Sequence, residues 1–231
     1  YPGAAVAAFV LGEPGGGRAA VLYDAAGDYS KNIAAVFMEE YQKRGGVLTA
    51  RETYLSDEKN FDAQARRITE SGCGVVFLPS MPREASLQIT ALRKAGFKGR
   101  ITGSDAWYGE LLLLNPDAEG CCFTSLGAPD KLNGRAESFM RKYDAKYGSG
   151  GVFTAMDYIM TTFDALSLIT MAAERAGSAA PAEITAAIRN FGKYDAWGGE
   201  LFFDGRPAPA SGARVNIVKD KKAVFLKDCH P

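Results

Sequence analysis

The sequence predicts an α/β fold built on a doubly wound parallel sheet, and three observations carry that prediction. Short apolar runs without an internal charge, residues 19–23 and 75–78, read as strands buried on both faces. Amphipathic stretches of helical period separate them, so successive strands are joined by crossovers and must pair in parallel. Each run ends in turn-forming residues, with Asp24, Gly27 and Asp28 after the first, Pro79 to Pro82 after the third and Gly103 to Asp105 after the fourth. The carboxyl ends of such strands are where open α/β sheets bind ligands.

Composition allows this fold and excludes several functions. The chain has 231 residues, 47% of them hydrophobic, which is ample for one large or two small cores. Lys plus Arg and Asp plus Glu are both 27, so no global field favours nucleic acid or an anionic membrane surface. The longest strongly apolar run, residues 111–114, is far below the roughly 20 residues that span a bilayer. No leader pattern stands at the amino end, and the chain starts at Tyr1 rather than Met, which is compatible with a leader removed upstream.

Taken in order, residues 2–11 form a helix with Val6, Phe9 and Val10 at helical spacing, closed by Gly12 and the Pro14 to Gly17 loop. After the first strand, Ile33, Val36, Phe37 and Tyr41 make an apolar stripe on a helix ended by Gly45-Gly46. Residues 47–55 are a second, more polar strand that belongs near a sheet edge. Asn60 caps a helix carrying Phe61, Ala65 and Ile68. Residues 75–78 are the third strand, and Pro79 and Pro82 forbid its continuation. A helix with Ala85, Ile89 and Leu92 inward follows, ending at Gly96. Residues 100–102 and 121–125 are the fourth and fifth strands. The simplest strand order is 2-1-3-4-5, which gathers Tyr29, Ser80 with Met81, and Asp105 on one rim.

Beyond residue 125 the pattern changes. Residues 130–148, 152–177 and 181–190 are helices, the second with Val152, Met156, Ile159, Met160, Phe163, Leu166 and Ile169 on a wide apolar face. Residues 199–204, 213–219 and 223–227 read as three antiparallel strands, the last two joined at Asp220-Lys221. Residues 126–129 and 206–212 are the turn-rich candidate hinges. The helices show no partner strands of their own.

Catalytic and metal chemistry find no support. The sole histidine, His230, is penultimate, which removes a His-dependent triad. Cys73, Cys121, Cys122 and Cys229 lack paired metal-ligand spacing and read as buried small hydrophobes more readily than as a disulfide. A phosphoacceptor receiver would need an aspartate where Pro79 and Ser80 stand. Gly12 to Gly17 precedes its strand and cannot cradle phosphate. Ser80 and Ser104 lack a base. The residues therefore suit a binding module, without catalytic groups, metal or cofactor. Asp105 can accept from a ligand ammonium, and Tyr29 and Ser80 offer hydroxyls. The bland alternative makes Asp105 a helix cap and Tyr29 a wet-tipped aromatic. Trp107 and Tyr108 read as a lid over the core.

An ordered series of residues resembles a known family. Val21 to Asp24, Asp28-Tyr29 and Ala35 to Gly46 are similar to the second lobe of type 1 periplasmic solute-binding proteins of the branched-chain amino-acid (Leu/Ile/Val) class. So are Phe61 to Ile68, Ala91 to Lys98, Gly103-Ser104-Asp105, Phe139 to Gly148, Phe163-Asp164-Ala165 and Gly198 to Asp204. The resemblance implies a flytrap of two α/β lobes that closes on its ligand. It implies ligand contacts from Tyr29, Ser80, Met81 and Asp105, with Asp105 taking the amino group, and from Tyr158 on a first-lobe helix. Many relatives have a tyrosine near Met81, and this chain does not.

The resemblance begins at the start of the second lobe, since family members carry most of the first lobe ahead of it. Residues 1–125 with 213–231 are then a complete second lobe, and 130–205 part of a first lobe whose helices expose an apolar patch. The implied function is capture of a small amino acid or related metabolite for an ABC transporter, whose membrane subunits are the partner. The implied location is the periplasm or the cell exterior, with a lipid anchor where the source lacks an outer membrane. A ligand-sensing receptor domain of the same fold is the alternative.

Overall fold

Alternation along the first strand decides the architecture. In the computed structural model, which describes residues 2–107, 109–127, 132–148, 152–206 and 213–229, Ala19 and Val21 enter one core while Ala20 and Leu22 enter another. A strand buried on both faces needs helices on both sides. The chain supplies them as α1 (Pro2–Leu11), β1 (Arg18–Asp24), α2 (Asp28–Lys43), β2 (Val47–Tyr54), α3 (Asp62–Glu70), β3 (Val75–Leu78), α4 (Pro82–Lys94), β4 (Arg100–Gly103), a short α5 (Glu110–Leu113) and β5 (Cys122–Ser125). It continues with α6 (Gly134–Tyr147), α7 (Val152–Ala176), α8 (Pro181–Arg189), β6 (Gly192–Ala196) and β7 (Gly199–Phe203), and ends with β8 (Ala213–Lys219) and β9 (Lys222–Cys229). Two compact units result, Tyr1–Ser125 with Ala213–Pro231, and Leu126–Gly212.

The first unit is a seven-stranded sheet in the order β2-β1-β3-β4-β5-β8-β9, with five parallel strands and an antiparallel hairpin added at one edge. The expected 2-1-3-4-5 order is present. Asp220 and Lys221, both at positive φ (51° and 61°), make the hairpin turn whose twist matches the strands. Helices α1 and α2 cover one face and α3 and α4 the other. Cys121 and Cys122 point into opposite cores, and the four cysteines are free thiols. Burial pushes the Cys121 thiol up to about 12 and the Cys122 thiol up to about 11, so both stay protonated.

Several local expectations shift. The buried side of α2 is Ser30, Ala34, Phe37 and Tyr41, whereas Val36 is 37% exposed. Close approach of α1 explains the small residues, because a Cβ on Gly3 would lie 2.7 Å from the Ile33 carbonyl oxygen. Asn60 serves one residue earlier than a helix cap, its Oδ1 accepting the Asp62 N–H at 2.9 Å. The Tyr41 hydroxyl donates to the Gly16 carbonyl at 2.6 Å and anchors the loop ahead of β1.

The second unit has one strand, β6, that the sequence pattern did not predict. Residues 199–204 do not join the last two strands; β7 pairs antiparallel with the unpredicted β6. Strand β6 alternates buried Tyr194 and Ala196 with exposed Lys193 and Asp195, which gives too few apolar residues to signal a strand. This hairpin packs Phe191, Tyr194 and Phe203 against Ala172 and Leu168 of α7, so the helices do have strands to cover. On α7, Met160 is buried but Leu166 (62%) and Ile169 (45%) are exposed, while the side chains of Val152 and Met156 lie outside those described. Helix α6 starts at Gly134, where Asn133 Oδ1 accepts the Ala136 N–H. Positions 108, 128–131, 207–212, 230 and 231 of the sequence reading lie outside the described residues.

Asp164 ties this unit together. Its carboxylate accepts from Arg135 at 2.7 Å, from the Tyr194 hydroxyl at 3.1 Å and from the Trp197 backbone N–H at 2.8 Å. Burial nevertheless holds the Asp164 carboxyl above its ordinary value. The stability tied to its proton is therefore complete below about pH 4, the unfolded value, and falls as pH rises through the folded value. Asp164→Asn is expected to remove that acid-range decline from the unfolding free energy, measured by urea titration from pH 3 to 7. An identical pH profile in the variant would contradict this account.

Candidate functional site

Five parallel strands deliver their exits to one rim of the first unit, and the residues there are held from below. Trp107, in the 3₁₀ turn Asp105–Trp107 directly after β4, is wholly buried and donates from Nε1 to the Leu78 carbonyl at 3.1 Å. That bond pins the exit of β4 to the exit of β3. Gly103 lets the indole lie against the strand, since a Cβ there would overlap the five-membered ring at its fused edge. Trp107 thus closes the core beneath the rim, as expected, whereas Tyr108 is outside the described residues.

On this floor the first turn of α2 meets the β4 exit. The Tyr29 hydroxyl lies 2.6 Å from Asp105 Oδ1 and 3.0 Å from Ser104 Oγ. A phenol has one proton, and the shorter, charge-assisted contact takes it, leaving Ser104 to donate to the phenol oxygen. Burial, then the adjacent Asp105 charge, raises the Tyr29 phenol above its ordinary value. It therefore remains a donor at every physiological pH.

Tyr29 is also among the walls of a cavity of about 190 Å³ at the exits of β1, β2 and β3. Asp24, Tyr54, Asp57, Met81 and Glu84 are also among its walls. Asp24 is set by the Ser56 hydroxyl, 2.6 Å from Oδ2, and by the Ala26 N–H, 2.9 Å from Oδ1. Met81 is 48% exposed. Ser80 is fully buried beneath the rim, its hydroxyl donating to Gln88 Oε1 at 2.8 Å. Tyr54 stands on the edge strand, with its phenol raised by burial and with Ser80 and Gln88 against its hydroxyl.

The structure thus brings Tyr29 and Asp105 into contact, places Met81 on a wall shared with Tyr29, and sets Ser80 below them. Tyr158 belongs to the second unit, where it is 68% exposed on α7. Sequence reasoning missed Tyr54, Ser56, Asp57 and Glu84. The available signal was the exit of β2, which counts as a strand exit like the others even though the strand is polar. Among the described residues no group of His, Cys, Asp and Glu is arranged to hold a metal ion, and no helix is long and apolar enough to cross a membrane.

A family model described as periplasmic binding protein matches residues 2–218. A Leu/Ile/Val-binding protein homolog 1 from Brucella abortus (strain 2308) is 26% identical over 207 residues, which are 89% of this chain and 54% of that protein. The leucine binding protein LivK from Thermotoga maritima MSB8 superposes with a TM-score of 0.87 at 27% identity, covering 100% of this chain and 65% of that one. The branched-chain amino acid transporter substrate binding protein LivJ from Streptococcus pneumoniae, solved in complex with isoleucine, shares the fold at 23% identity with a TM-score of 0.78, covering 98% and 65%. The chain spans about half the length of the curated relatives it matches. It belongs to the periplasmic binding protein family.

Two measurements test the geometry of the rim. Gly103→Ala is expected to cost about 1–3 kcal/mol by forcing Trp107 off β4, read as a lower urea midpoint; an unmoved midpoint would mean the indole is not packed as described. Tyr29→Phe bears on pH. The raised phenol contributes stability that is full below the unfolded value of about 10 and is lost as pH climbs beyond it, so the variant should show a shallower alkaline loss of stability. A limb as steep as that of the unaltered protein would show that Tyr29 titrates like a free phenol.

Proposed function

We propose that this family member is an extracytoplasmic solute-binding protein that captures a small amino acid or related metabolite for an ABC transporter. The observation that carries the reading is the 2.6 Å contact between Tyr29 and Asp105, which builds an acceptor and a proton-holding phenol into one corner of the ligand edge. Asp105 would receive the ligand ammonium. Tyr29 and Met81 would pack on its side chain, while Ser80 would support the β3 exit from below. No bond is made or broken in this function; affinity comes from enclosure and a few directed polar groups. The names of the relatives, which bind leucine, isoleucine or valine by description, support the amino-acid class.

The same reading assigns the two units. The first, with its seven-stranded sheet covered on both faces, would be a complete lobe. The second, with a two-stranded sheet and exposed Tyr158, Leu166 and Ile169 on α7, would be the carboxyl-terminal part of the other lobe. Tyr158 would then supply a ligand contact from that side. The membrane subunits of the importer would be the partner, and the periplasm or cell exterior the location.

A thermal-shift screen of the protein, expressed from its complete reading frame, against amino acids and small acids tests this proposal. An ammonium-bearing solute is expected to raise the melting midpoint by mass action. Asp105→Ala should remove that shift, corresponding to a loss of about 1.5–3 kcal/mol of binding for a hydrogen bond to a charged group. A best hit without an ammonium group, or one indifferent to Asp105→Ala, would sink the assignment.

A further inference from the structure

Asp105 is half-buried at the β4 exit, and among the described residues one side chain bonds its carboxylate: Tyr29, whose hydroxyl lies 2.6 Å from Oδ1. Ser104 meets the same hydroxyl at 3.0 Å. Unlike its two neighbours in the chain of contacts, Ser104 is wholly buried, and its backbone is fixed. Its carbonyl accepts the Trp107 N–H at 3.2 Å, in the turn that Trp107 ties to the Leu78 carbonyl. A buried hydroxyl without a partner bears the full cost of its desolvation. Among the described residues the Tyr29 oxygen is the one partner of the Ser104 hydroxyl, and the buried Thr102 hydroxyl two residues earlier has none.

These contacts run in one direction. An ionised carboxylate can only accept, so the single phenol proton lies between Tyr29 and Oδ1. The phenol oxygen is then left with two lone pairs. Ser104 donates to one, and the Ala106 backbone N–H bonds to the same oxygen. Its hydrogen-bonding capacity is therefore used inside the protein, and the hydroxyl has none to offer a ligand. A hydroxyl that receives donation is also polarised into a better donor, because hydrogen bonds in a chain reinforce one another.

We propose that Ser104 is a positioning residue for the ligand acceptor: it donates to Tyr29, Tyr29 donates to Asp105, and this chain of side chains holds the carboxylate in the orientation that receives a ligand ammonium. The inference rests on Asp105 being the ammonium acceptor, as read above. Two links of the chain come from the β4 exit and the third from the first turn of α2, so the two elements fix the acceptor jointly. Ser104 and Asp105 are consecutive, yet Ser104 acts on its neighbour through Tyr29. Rotamer freedom removed from Asp105 before the ligand arrives is not lost again on binding.

The test is a double-mutant cycle of Ser104→Ala and Tyr29→Phe, made in the protein expressed from its complete reading frame and read by equilibrium titration with L-leucine, L-isoleucine and L-valine. Ser104→Ala is expected to weaken whichever of the three binds by about three- to tenfold, the scale of one neutral hydrogen bond. Tyr29→Phe, which keeps the ring, should weaken it at least as much. In the Tyr29→Phe background, adding Ser104→Ala should cost nothing more, because the chain is already cut. A Ser104 that only supported the local fold would weaken binding equally in both backgrounds. Effects that multiply, or a Ser104→Ala affinity within about twofold of the unaltered protein, would overturn the positioning role; if Asp105→Ala still abolished binding, Asp105 would stand as the acceptor. Binding of none of the three would overturn both. If the melting curve shows that Ser104→Ala does not fold, Tyr29→Phe alone decides, and an unchanged affinity there would overturn the chain.

Discussion

Parallel strands cannot be joined by tight turns, and this constraint shapes the first unit more than any single contact. Every return from β1 to β5 has to cross a face of the sheet, which is why helices α2, α3 and α4 exist and why the inner strands β1 and β3 are apolar on both sides. The same rule sends all the carboxyl ends to one rim. Tyr29, Met81 and Asp105 are far apart in sequence and become neighbours only because the crossovers share one hand. Gly103 and Trp107 then convert that neighbourhood into fixed geometry, since the indole N–H bridges from the β4 exit to the Leu78 carbonyl.

How much of this could be read from residues alone follows from where the information lies. The strand order was legible because charge-free runs such as Val75–Leu78 and the prolines after them admit only a buried parallel strand that stops. The face of α2 was less so. Ile33 and Val36 look more apolar than Ser30 and Ala34, but the approach of α1 at Gly3 favours small residues, and that helix contact is tertiary. Strand β6 was invisible for a related reason: Gly192 to Ala196 has two inward residues, and it is a strand because β7 and α7 offer it a ladder and a core.

The site divides in the same way. A tyrosine and an aspartate after alternate strands suggest a ligand edge, and their direct contact follows from strand order. The recess that Tyr29 also lines could not be anticipated, because Tyr54 and Asp57 come from a strand whose polar sequence marked it as peripheral. In a 2-1-3 arrangement the edge strand still exits beside the switch point. Its polarity reflects solvent on its outer flank and says nothing about what its last residues face.

The Tyr29 phenol links the two halves of the rim. Its hydroxyl meets Asp105, and the residue also lines the recess that Asp24, Asp57 and Glu84 share. Burial keeps its proton on, so it donates to Asp105 and cannot itself become a further anion in a region already rich in them. On the proposed reading, an ammonium arriving at Asp105 would not have to expel the phenol, because a carboxylate offers two oxygens and Tyr29 engages Oδ1. The phenol would then hold Asp105 in one orientation while a ligand met Oδ2. A pre-oriented acceptor loses less side-chain freedom when the ligand binds.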